Sequence, residues 1–250
     1  MKKYTHYISL GYFCEVAQDL EKLGLREFSS PFDWVISDFP CVMKAIENGF
    51  EDYLNCDNLL QNVACRCHYY ESKYHFYSFH DFSPYVSLKE QYQAVKEKYG
   101  RRINRFLKEI KSPTLFVRYI SSEDVDSSGK SKELNWIEQN YQYIQDVLKK
   151  YNEDNDILFI GDETVVSETI KIYHVSRDKK EKVSKLPIYN NKELYPLLQS
   201  VDFPGKEENQ MRYRERRKLF KRISKRAKWC WQKIILKEYK HCKTYNIVGK

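Results

Sequence analysis

Two short apolar runs, "TLFVRYI" at 114–120 and "DILFIGDE" at 156–163, constrain the fold more than any other feature. Each is nearly continuous in large and β-branched residues, too short for a core helix, and bounded by turn formers such as Pro113. Strands of that kind are buried on both faces, which happens where helices cover a parallel sheet. Between them, "SKELNWIEQNYQYIQDVLKKYN" repeats Leu134, Ile137, Tyr141, Ile144 and Leu148 at helical spacing, as a crossover helix would. "YISLG", stopping at Gly11, and "IKIYHV" read as further strands. Val16, Leu20 and Leu23 then mark a helix closed by Gly24. A polar helix is predicted from Leu88 to Lys111, with Tyr92, Val95, Tyr99, Ile103, Phe106 and Ile110 as its seam. "SSPFDWVISDFPCVMKAIENGFEDYL" opens on a turn and places Val42, Ile46, Phe50 and Tyr53 on one helical face. Within 55–87, where cysteines, histidines and tyrosines crowd, only "YHFYSFHDF" reads as a strand entering a loop. The expected class is α/β, a mostly parallel central sheet flanked by helices.

Charge divides the chain in two. Residues 211–250 carry 15 Lys and Arg against two acids, whereas residues 1–210 carry 28 basic and 33 acidic side chains. "RYRERRKLFKRISKRAKWCWQKIILKEYK" predicts one long basic helix with a narrow stripe of Leu219, Ile223, Ala227, Cys230 and Ile234. The expected organisation is a single α/β domain over 1–205 and a basic amphipathic tail over 206–250. Phe220, Trp229, Trp231 and Ile235 interleave with lysine and arginine, a pattern suited to an anionic membrane surface. The acidic body offers no basic face, so no nucleic-acid partner is expected. No signal-peptide core and no 18-residue apolar run is visible, and seven cysteines lack disulfide-framework spacing. The expected location is cytoplasmic, with the tail at the inner face of the membrane.

Ligands of open α/β sheets bind beyond the carboxyl ends of the strands. Those ends carry Cys14, Arg118, Asp162 and His174. Cys14 sits where a helix begins, and there orphan amides and the helix dipole favour a thiolate and depress its pKa. A nucleophilic thiol needs a base. His80, followed by Asp81 in "FSFHDF", is the first candidate and His174 the second. Arg118 is a candidate for an anionic substrate group. "CRCH" at 65–68, with Cys56 upstream, lacks the paired spacing of zinc modules, so no metal site and no cofactor is expected. "DVD" at 124–126 is similar to the Asp-x-Asp of nucleotide-sugar transferases, although it lies in a Ser/Gly loop.

Five blocks in order, "ISLGYFCEVAQDL", "GLREFSSPFDWVI", "FSFHDF", "KYGRRINRFL" and "TLFVRY", resemble an uncharacterised bacterial family of papain-like cysteine peptidases. Its members accompany capsule and surface-polysaccharide genes. The resemblance runs over residues 7–120, with a looser likeness through "DILFIGDE". It implies Cys14 as nucleophile and His80 as its base, with Asp33 or Asp81 orienting the imidazole. It also implies a cleft shaped by Ser30 to Trp34; Asp33 and Trp34 of that block, together with the strand-end groups Arg118, Asp162 and His174, are expected toward substrate. The Gln…Cys-Gly-Ser-Cys-Trp signature of papain itself is absent. The implied activity is a cysteine-nucleophile hydrolase or acyltransferase acting through an acyl-enzyme on a peptide, acyl or glycan substrate. The alternative is a glycosyltransferase-like or glycan-binding protein in which Cys14 is structural.

Overall fold

The computed structural model describes residues 3–63, 67–175 and 187–218. Strands β1 (His6–Ser9), β6 (Thr114–Tyr119), β7 (Asp156–Asp162) and β8 (Ile172–Val175) form a parallel sheet in the order β1-β6-β7-β8. The register pairs Ile8 with Phe116 and Val117 with Leu158. Along β6 the side chains alternate between two cores. Leu115, Val117 and Tyr119 pack with α1 (Cys14–Leu23) and α6 (Leu194–Gln199), and Phe116 packs with the opposite layer. Burial on both faces accounts for the unbroken apolar run.

The opposite layer holds a second sheet, which the sequence reading did not foresee. Strands β2 (Val35–Ser37), β3 (Leu59–Gln61), β4 (Tyr69–Glu71) and β5 (Phe76–Ser78) pair antiparallel in the order β2-β5-β4-β3. Among the described residues the expected parallel sheet is present, and an antiparallel sheet with as many strands accompanies it. Three residues per strand are too few for an alternating pattern to emerge from a tyrosine-rich background. Helix α2 (Phe39–Glu47) is shorter than the apolar spacing predicts, because Phe50, Asp52 and Leu54 take left-handed backbone conformations after it. Helix α3 (Leu88–Glu109) starts on a capping box of Ser87 and Glu90. The expected crossover helix is two, α4 (Lys132–Gln139) and α5 (Tyr141–Lys149), separated at Asn140. The Asn140 amide donates to the Trp136 carbonyl at 2.8 Å, so the side chain competes with helix continuation.

One side chain ties the two sheets together. Arg118 on β6 is fully buried; it donates to Glu133 of α4 at 2.7 Å, to the Leu10 carbonyl at 2.8 Å, and to the Ser37 hydroxyl and carbonyl at 2.8 Å each. The backbone must pass close by, and Gly11 permits it. Its φ is +85°, and a Cβ there would lie 2.5 Å from Ser37 Oγ and 3.1 Å from an Arg118 nitrogen.

Helix α7 (Lys206–Arg216), where the expected tail begins, docks on the C-terminal end of α1: Asn209 and Gln210 donate to the carbonyls of Gly24 and Leu23 at 3.1 and 3.0 Å. The remainder of the predicted basic helix lies outside the described residues. No helix among the described residues is long and apolar enough to cross a membrane. Asp19, on the inner face of α1, accepts from Ile188 N at 2.9 Å, while its Oδ1 has no hydrogen-bond partner among the described residues. Burial pushes this carboxyl up to about 7.

Two predictions follow from these buried charges. Arg118→Met strands Glu133 and should cost about 3–5 kcal/mol in urea unfolding. The Arg118→Met/Glu133→Leu pair should cost less than the two single changes together; strict additivity would show that the two groups do not act as a pair. An unfolded aspartate ionises near 3.9, so folded Asp19 keeps its proton over a window in which the unfolded chain has lost it. Its contribution to stability therefore falls as pH rises from about 4 to 7. Asp19→Asn should flatten that decline and stabilise the protein at pH 8 by about 1–2 kcal/mol. Parallel stability–pH curves for the two proteins would refute this.

Candidate active site

Cys14 is the first residue of α1 and follows Phe13, whose backbone is extended. Strand β1 ends at Ser9, the chain turns at Gly11, and the thiol emerges at the carboxyl edge of the parallel sheet, half-buried. Its S–H donates to Glu15 Oε2 at 3.3 Å. Burial first, and then the Glu15 charge and hydrogen bond, push the thiol up to about 12. Cys14's own backbone N–H and the Gln18 side chain act to lower it but are outweighed, so the resting group is a neutral thiol, not the thiolate that the helix start alone would favour. Tyr12 lies alongside, its hydroxyl on Glu123 at 3.3 Å and its ring 6.4 Å from that of Tyr119.

His80 is exposed just beyond β5, edge-on to the Trp34 ring at 6.2 Å. Trp34 also lies 5.9 Å from the Arg26 guanidinium. The histidine and the cysteine approach β2 from opposite ends. Tyr12 O accepts from Ser37 N at one end, while Trp34 precedes the other, a separation of about 10 Å along the strand. Among the described residues no histidine is hydrogen-bonded to Cys14.

The carboxylates proposed to orient His80 are held elsewhere. Asp33 is buried and accepts from Arg26 Nε at 2.9 Å, Ser30 N at 3.0 Å and Ser30 Oγ at 2.8 Å. Asp81 accepts from Lys98 at 2.5 Å, Tyr99 at 2.6 Å and Ser78 at 3.1 Å. Burial would raise Asp81, but the bonds from Lys98 and Tyr99 and the charges of Lys98 and Arg102 hold it below the usual carboxylate range. Asp162 accepts from Ser122 and from Thr164 N at 3.0 Å, closing the turn after β7. His174 is on β8, separated from β1 by β6 and β7, with Nε2 at 2.8 Å from Val165 O. Arg118, expected to face an anionic substrate, has its guanidinium enclosed and committed to the tie described above. In the "DVD" loop, Asp124 pairs with Lys132 at 2.9 Å, and Asp126 accepts from Ser128 N at 2.8 Å and Lys130 N at 3.1 Å.

Sequence reading passed over one cluster. The side-chain ligand atoms of Asp38, Cys41 and His75 all lie within 4.8 Å of one another. The Asp-x-x-Cys spacing across the start of α2 was a visible signal for the first two. The fold alone brings in His75, from the β4–β5 turn.

A family model described as "Putative papain-like cysteine peptidase (DUF1796)" matches residues 5–160. The chain belongs to that family. A curated relative, "Uncharacterized protein R408" of Acanthamoeba polyphaga mimivirus, is 32% identical over 126 residues. That alignment covers 42% of this chain and 56% of the relative, so the chain spans about half the relative's length. No solved structure matches. The family region takes in Cys14, Trp34, His80 and the Arg118 tie, while β8, α6 and α7 fall outside it.

Because Glu15 raises the Cys14 thiol, Glu15→Gln should lower its pKa and speed its alkylation by iodoacetamide at pH 8 about three- to tenfold. Peptide mapping by mass spectrometry reads the rate at this cysteine. An unchanged rate would mean that burial alone sets the thiol.

Proposed function

We propose that this family member is a cysteine-nucleophile hydrolase or acyltransferase in which Cys14 attacks a substrate carbonyl and His80 serves as its base. The observation that carries the reading is the position of Cys14 within the family region, at the start of α1 and at the carboxyl edge of a parallel sheet. There, main-chain N–H groups of the first helical turn are free of intrahelical partners and can hold an oxyanion. In the mechanism the S–H proton passes to the imidazole and the sulfur bonds to the carbonyl carbon. The tetrahedral oxyanion then collapses, and the leaving group departs with the proton from His80. Water or an acceptor hydroxyl next attacks the thioester, giving its proton to His80; the C–S bond breaks and His80 returns that proton to the Cys14 sulfur. The described state is a resting one, with the thiol proton against Glu15. Substrate binding has to bring the loop after β5 toward α1, and catalytic contacts commonly tighten only in the substrate complex. Trp34, half-buried beside His80, offers a flat face for a glycan or an apolar group, in keeping with a substrate from surface-polysaccharide biology. The basic tail would hold the enzyme against an anionic membrane on its cytoplasmic side.

The raised Cys14 thiol favours a second reading, a glycosyltransferase-like or glycan-binding protein in which this cysteine is structural. An acylating thioester probe separates the two. Under the first reading, label accumulates on Cys14 and falls at least tenfold in His80→Ala, with folding unchanged by circular dichroism. Labelling that His80→Ala leaves intact removes the histidine from the mechanism. An unlabelled Cys14, with glycan binding retained in Cys14→Ala, establishes the second reading.

A further inference from the structure

We propose that Asp38, Cys41 and His75 form a zinc-binding site with one coordination position open to solvent. The site is separate from Cys14 and does not depend on its being a nucleophile.

Three donors of different type converge here: a carboxylate oxygen, a sulfur and an imidazole nitrogen, mutually within 4.8 Å. Asp38 is the residue that precedes α2 and Cys41 lies in its first turn, so one helical turn puts both on the same face. His75 comes from the turn between β4 and β5, where it takes a left-handed backbone conformation of φ 54°. That conformation is uncommon outside glycine and is tolerated better by histidine than by most residues. The Tyr70 ring, 5.9 Å from that of His75, flanks the imidazole on the β4 side. Among the described residues no lysine or arginine forms an ion pair with Asp38; its carboxylate is hydrogen-bonded to the Cys41 thiol, and the Lys44 charge also acts on that thiol.

Mixed sulfur, nitrogen and oxygen donors suit zinc, a borderline-soft ion that takes cysteine, histidine and carboxylate together. Bonds of about 2.0–2.3 Å in a tetrahedron space the ligand atoms roughly 3.3–3.8 Å apart. The observed spacing therefore closes with a shift of about an ångström. Asp38 and His75 are exposed and free to turn in. Calcium and magnesium would demand more oxygen ligands than the cluster holds. Three protein ligands leave the fourth position to water, on the solvent side. As the ion binds, the Cys41 S–H bond breaks, its proton leaves to solvent and sulfur bonds to zinc, with no change of oxidation state. The bound ion would join the start of α2 to the β4–β5 hairpin and so brace the second sheet.

The test is zinc titration of the full chain, stripped with chelator and then read against a chromophoric zinc indicator. One equivalent should bind the wild type. Cys41→Ser and His75→Ala should each weaken that equivalent by well over tenfold, since loss of a mere outer-shell partner already costs about 10–100-fold. Asp38→Asn, the mildest change, guards against misfolded variants and should also weaken it. Cys14→Ala and Cys67→Ser should leave it in place, which keeps the result apart from the Cys14 mechanism and from the Cys65–His68 stretch. Cobalt in place of zinc should give a thiolate charge-transfer band that disappears in Cys41→Ser. Equal zinc affinity in the wild type, Cys41→Ser and His75→Ala, or a loss confined to Cys67→Ser, would overturn the proposal.

Discussion

The fold turns on one buried guanidinium. Arg118 gathers the carboxyl ends of β1 and β2 and the first turn of α4 around a strand in the middle of the parallel sheet. An arginine suits the position because its planar fork serves several acceptors at fixed angles, as a lysine could not. Removing such a group from water is costly, and Glu133 and three further acceptors offset that cost. What the arrangement supplies above all is register, because the second sheet meets the first where these bonds allow. The close passage at Gly11 follows from it, and with it the direction in which the chain enters α1.

That geometry explains the state of Cys14. The corner after β1 is drawn in toward Ser37 and Arg118, and the first turn of α1 is pulled half out of water with it. A helix start favours a thiolate by a dipole effect of limited size, whereas desolvation acts on the whole charge. Glu15, next in sequence and in contact with the sulfur, adds a like charge. Burial and that neighbour together outweigh the helix, so the thiol rests protonated. Reactivity at this position then depends on what a substrate displaces, and the family resemblance alone does not supply it.

Much of the scaffold was legible beforehand. Continuous apolar strands identified β6 and β7, because burial on both faces leaves no room for alternation. Gly24, placed after Leu23 as a helix-ending glycine, closes α1 in the left-handed conformation. Short strands hid in 55–87, where each makes its case through partners rather than pattern. The break at Asn140 was masked by apolar spacing that continues through two helices. Of the site, Cys14 and His80 were visible as residue types at meaningful places. The commitments of Asp33, Asp81 and Arg118 were not, because a charge in a sequence carries no record of the partner that will neutralise it.

By itself, then, the sequence determined the parallel sheet, its helical cover and the placement of a cysteine at the first strand-to-helix corner. These follow from local periodicity and from glycine, which act over a few residues. Only the tertiary structure decided that Arg118 faces inward, that Glu15 and burial quiet the Cys14 thiol, and that His75 meets Asp38 and Cys41. Each of these depends on groups far apart in the chain, and the energy of burying a charge is set by whatever the fold brings beside it.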